Sequence, residues 1–71
     1  MDRNMLRRRL AVAEAHIAGG ERSLARQRNL VEELESSGRD SEDARRLLRI
    51  FEQLQAAHIA DRDRLRRELG E

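Results

Sequence analysis

The chain has no cysteine, proline, tryptophan, tyrosine or lysine, and Phe51 is its only aromatic ring outside the two histidines. Without cysteine there is no disulfide staple and no thiolate metal site. Without proline nothing stops a helix by ring geometry, so every break must come from glycine and capping residues. No apolar run approaches the roughly 20 residues that a membrane span needs. The basic start, Arg7-Arg8-Arg9, is not followed by an apolar core, so no secretory signal is read there. Nor is there an excess of one charge. Fifteen arginines face fourteen acidic residues, a net charge of +1, which leaves no bulk attraction for nucleic acid or an anionic membrane.

What is present is charge and periodicity. Of the 71 residues, 41% are charged, a level that would suit a disordered chain. The apolar positions are too regularly spaced for that. From residue 6, Leu6, Leu10, Ala13, Ile17, Gly20, Leu24, Gln27, Val31 and Leu34 alternate steps of four and three, the seam of a coiled-coil-like helix. Asp2 is a candidate N-cap, and the first helix is expected over residues 3–36. Gly19-Gly20 interrupts its propensity at about 1 kcal/mol per glycine relative to alanine. The heptad phase is the same on both sides of the pair, so one continuous helix is expected.

Ser36-Ser37-Gly38-Arg39-Asp40-Ser41 is the pivot. Gly38 suits a left-handed helix end. Asp40 or Ser41 can cap the helix that follows, with Glu42 and Asp43 in its first turn. The turn is placed at 37–40 and the second helix at 41–69, stopped by Gly70. Its stripe is Ala44, Leu47, Leu48, Phe51, Leu54, His58, Asp61, Leu65 and Leu69. The expected fold is all-α, a single antiparallel two-helix hairpin over residues 1–71. Matching the two seams sets Val31 against Leu47, Gln27 against Phe51, Leu24 against Leu54, Gly20 against His58, and Ala13 against Leu65. The expected seam interface is Leu10, Ile17, Gly20, Leu24, Val31, Leu47, Phe51, Leu54, His58 and Leu65.

A single core this small rarely supplies more than about 3–5 kcal/mol. Apolar residues beyond the seam (Val12, Leu30, Leu48, Ile50, Ile59 and Leu69) suggest a second stripe. Charge is also polarised along the hairpin. Residues 31–45 hold six acidic residues and two arginines, whereas Arg3, Arg7, Arg8, Arg9, Arg62, Arg64, Arg66 and Arg67 gather at the other end. Both features point to a homodimer that forms a four-helix bundle, with a hetero-partner helix as the alternative.

Chemistry-bearing motifs are few. Ala15-His16-Ile17-Ala18 recurs as Ala57-His58-Ile59-Ala60, which puts two histidines at similar heights. His16, His58 and Asp61 are the only candidate metal ligands, and they lack the Glu-x-x-His pattern of carboxylate bundles. No nucleophile constellation, phosphate loop or dinucleotide fingerprint is present, so neither an enzyme nor a cofactor is expected. Arg7, Arg8, Arg9, Arg66 and Arg67 could touch phosphates, but acidic residues interleave with them and no aromatic is there to stack on bases. The segment His58-Ile59-Ala60-Asp61-Arg62-Asp63-Arg64-Leu65, and the stretch from His16-Ile17-Ala18 through Ala25-Arg26-Gln27-Arg28 to Glu33-Leu34-Glu35, resemble a group of short uncharacterised bacterial proteins. That resemblance implies a helical hairpin and brings no activity or ligand. The sequence thus reads as a cytoplasmic, non-enzymatic oligomerisation or protein-protein interaction module. A nucleic-acid binder using the arginine end and a histidine-based metal bundle are the alternatives.

Overall fold

Capping chemistry sets the two helices. The computed structural model describes residues 2–71. Helix α1 spans Arg3–Ser36 and helix α2 spans Glu42–Leu69. Asp2 caps α1 by accepting a hydrogen bond from the Met5 N–H, 2.9 Å from Oδ1, which satisfies one of the orphan donors of the first turn. At the far end Gly38 takes φ +70°. The N–H groups of Gly38 and Arg39 then fold back onto the carbonyls of Glu35 and Leu34, at 3.1 and 2.8 Å, a Schellman closure. Asp40 Oδ1 accepts from the Glu42 N–H at 2.9 Å, so Asp40 rather than Ser41 does the side-chain capping. Gly70, at φ +79°, closes α2 in the same way, with Glu71 N–H donating to Arg66 O at 2.8 Å.

The helices lie antiparallel in a rod of 53 × 15 × 14 Å. α1 runs unbroken through Gly19-Gly20. Its inward side carries Leu6, Leu10, Ala13, Ile17, Leu24, Gln27 and Val31, all buried, as its seam predicts.

The second helix corrects the expected register. Leu47 and Leu54, both assigned to the seam interface, are 41% and 52% exposed. Gly20 faces Gln55, not His58. A methyl on Gly20 would overlap the Gln55 amide oxygen and lie 2.8 Å from its Cδ. Gln55 Nε2 donates to Ile17 O at 2.9 Å, and Gln27 Nε2 donates to Ala44 O at 2.9 Å. Relative to the expected pairing, α2 has slid by about one turn and rolled by about one residue. Its inward residues include Leu48, Phe51, Gln55, His58, Arg62, Leu65 and Leu69, buried or half-buried, at steps of three and four.

The reason is visible at the open end. The observed register brings Leu65 and Leu69 into one buried cluster with Leu6, Leu10 and Ala13. Leu65 is the most deeply buried side chain, at 1% exposure. Arg3 adds a hydrogen bond from Nη1 to Leu69 O, 3.1 Å. Each buried leucine contributes about 1.5–3 kcal/mol. The expected register sets Leu69 opposite Arg9 and forfeits its share.

The two mid-helix glycines therefore differ, and substitution should separate them. Gly19 is open, with only Arg22 Nη2 at 3.8 Å from an added Cβ. Gly19→Ala is expected to gain about 0.5–1 kcal/mol of stability in urea melts. Gly20→Ala should fall at least about 1 kcal/mol below Gly19→Ala, because it displaces Gln55 and breaks a hydrogen bond worth about 0.5–1.5 kcal/mol. Adding Gln55→Ala to Gly20→Ala should restore part of that loss, with a coupling above about 0.5 kcal/mol. Strict additivity would remove this contact as the determinant of register.

Candidate functional site

Rolling α2 gives the hairpin two unlike long faces. On one, the residue just after a seam position bears charge in each helix. Glu14 follows Ala13, and Arg66 follows Leu65. Arg66 Nη2 lies 3.2 Å from Glu14 Oε2. Glu35 follows Leu34, Arg45 follows Ala44, and these two also pair across the helices. This edge is closed by ion pairs at both ends.

The opposite edge mixes large apolar side chains with charged ones, among them Arg9, Arg26, Asp61, Arg64 and Glu68. The exposed large apolar side chains are Met5, Val12, Leu30, Leu47, Ile50 and Leu54. Each stands one residue before a seam position: Leu6, Ala13, Val31, Leu48, Phe51 and Gln55. In antiparallel helices that offset turns all six to the same side of the rod. At mid-length on this side is a cavity of about 310 Å³, lined by Gly19, Gly20, Ser23, Leu54 and the two histidines, among others. Glycine in α1 opens it, and Leu54 stands at its edge.

His16 and His58 meet in this cavity, with ring centroids 4.9 Å apart and planes tilted by 44°. Asp61 does not join them as a third ligand; its carboxylate pairs with Arg64. Among the described residues no group of three or more His, Cys, Asp or Glu side chains is placed to hold a metal. Gln55, which the sequence reading left out of the seam, lines the same cavity. Its Oε1 is buried without a hydrogen-bond partner. The signal for Gln55 was its seven-residue spacing from Leu48 and Arg62, masked because Leu47 and Leu54 looked like better seam residues.

The remaining interface residues fall as follows. Leu10, Ile17, Leu24, Val31 and Leu65 are buried, and Gly20, Phe51 and His58 are half-buried. Of the arginines proposed for phosphate contact, Arg66 is engaged by Glu14, while Arg7, Arg8, Arg9 and Arg67 are exposed. Nearby, Arg64 pairs with Asp61 and Glu68, and Arg62 with Asp63. The arginine end is thus partly neutralised by its own carboxylates. At the turn, Glu35 is engaged by Arg45, while Glu32 and Glu33 have no ion-pair partner among the described residues. No helix is long and apolar enough to cross a membrane.

No family model, curated protein or solved structure matches the chain. The geometry of the two faces therefore carries the functional reading.

The charged edge and the leucine seam should respond very differently to substitution. Glu14→Gln removes one partner of a solvent-exposed pair and is expected to change stability by less than about 0.5 kcal/mol. Leu65→Ala empties the most buried position and is expected to cost about 2–5 kcal/mol. Thermal melts of both variants at one protein concentration check the contrast.

Proposed function

We propose that this protein is a non-enzymatic self-association module in which two hairpins pair through the apolar face into an antiparallel four-helix bundle. The observation that carries this reading is the one-sidedness of the exposed apolar residues. Met5, Val12, Leu30, Leu47, Ile50 and Leu54 share one face, and the other long edge is closed by the Glu14–Arg66 and Glu35–Arg45 pairs. Scattered surface leucines need no explanation, but six large exposed apolar side chains gathered on one side of so small a protein mark an interaction surface.

Area supports the same reading. The chain exposes 5177 Å², against about 4,600 Å² for a compact monomer of its mass. A standard interface takes about 800 Å² from each partner, and a 53 Å rod offers that along one face.

Charge argues for a second copy as occupant, in antiparallel sense. A two-fold axis through the mid-length cavity would lay the acidic turn, with Glu32, Glu33, Asp40, Glu42 and Asp43, over the partner's arginine end. Leu47 and Leu54 would be buried between the hairpins. A parallel arrangement would stack like charge on like charge at both ends.

Light scattering is expected to give twice the chain mass at micromolar concentrations or above. Leu47→Glu with Leu54→Glu should return the chain mass while leaving helicity largely intact. The association constant should fall as salt is raised, because the ends attract through solvent-exposed charge. A monomer at high concentration overturns this reading.

A further inference from the structure

We propose that His16 and His58 form a two-imidazole site for a borderline divalent transition-metal ion, of the Zn²⁺ or Ni²⁺ class, that clamps α1 to α2 at mid-length. The site lies within one hairpin, so it goes beyond self-association and does not require it. His16 and His58 are the only histidines of the chain, and they come from different helices and opposite halves of the sequence. Their ring centroids are 4.9 Å apart. Two imidazoles bound cis to one metal, each through a bond of about 2.0–2.1 Å, hold their ring centres about 5 Å apart. The observed centroid spacing matches that requirement.

Access and space fit as well. His16 is exposed and His58 half-buried, and both line the cavity of about 310 Å³. Water can fill the coordination positions that the two imidazoles leave open.

Ligand chemistry sets the class of ion. Neutral imidazole suits zinc, nickel and copper, whereas magnesium and calcium prefer sets of oxygen ligands. Among the described residues no third His, Cys, Asp or Glu completes the set, so the site is exchangeable rather than a closed structural centre. It links the helices only in the folded chain, where the two rings meet, so the ion stabilises the fold by mass action.

The test is the melting temperature of the full chain with Zn²⁺, Ni²⁺ or Mg²⁺ alone, each compared with excess EDTA. Zn²⁺ or Ni²⁺ at saturating concentration is expected to raise Tm by at least about 5 °C, and Mg²⁺ to leave it unchanged. His16→Ala and His58→Ala, with helicity confirmed by circular dichroism, should each abolish the shift and weaken Zn²⁺ binding by calorimetry at least tenfold. His16→Ala is the safer variant, since that ring is exposed. No shift in the parent chain, an equal shift in both variants, or a shift that depends on protein concentration would overturn the intra-hairpin site. Molar mass in EDTA reads self-association separately. A metal-insensitive dimer sinks this site alone, and a metal-stabilised monomer sinks the four-helix reading alone.

Discussion

The contact on which the rest of the hairpin depends is Gln55 against Gly20. Only a residue without a side chain lets the Gln55 amide lie on the α1 backbone and donate to Ile17 O. Together with the leucine cluster at the open end, that placement fixes both the slide and the roll of α2. It turns Leu48, Phe51 and Leu65 inward and Leu47 and Leu54 outward, and it brings His58 beside His16. Gln27, donating to Ala44 O near the turn, repeats the device. Two glutamines thus bond to main-chain carbonyls across the seam, where a purely apolar seam would slip more easily by a turn. Buried polar seam residues in coiled coils specify register in this way, at some cost in stability. Here the cost is visible in the unpaired Gln55 Oε1.

Much of the architecture was legible because it rests on local chemistry. Asp2, Gly38, Asp40 and Gly70 act at helix ends through their own side chains or lack of one. Strict four-three spacing from Leu6 to Val31 identified the inward side of α1, and unchanged phase across Gly19-Gly20 identified an unbroken helix. The side of α2 that faces inward was not legible by the same rule. Its most apolar stripe runs through Leu47 and Leu54, while the residues that face α1 include Gln55 and Arg62. Hydrophobic periodicity ranks positions by transfer free energy, so it selects whichever stripe is greasiest. In a chain with a second, exposed apolar stripe the greasiest stripe need not be the intramolecular one. The recurrence of Ala-His-Ile-Ala set His16 and His58 at similar heights, and the observed register brings their rings into contact.

This separation of stripes bears on the stability of so small a protein. Two helices share one narrow seam, and its best-packed part is the cluster of Leu6, Leu10, Ala13, Leu65 and Leu69 at the open end. Toward the turn the seam thins to Val31, Gln27, Leu48 and Ala44, supported by hydrogen bonds and the Glu35–Arg45 pair. Yet Leu47 and Leu54 lie along that same thinner half and point away from it. Exchanging Leu54 with Gln55 would bury more apolar surface in the seam, at the loss of the Gln55 bond to Ile17 O. Keeping leucine outside and glutamine inside makes sense if the outer face is buried by something else.

The mid-length cavity joins these themes. It exists because glycines at 19 and 20 remove the wall that side chains would build, and it opens on the apolar face midway between the acidic turn and the arginine end. Any two-fold partner that aligns opposite charges must pass its axis near this point. A small glycine-lined hollow there permits close approach of a second hairpin, and the two histidines line it. Coupling between metal and assembly would then depend on the direction in which the imidazoles turn. Rings drawn together by an ion within one hairpin rigidify the face and favour docking by lowering its ordering cost. Rings that turn outward compete with docking instead.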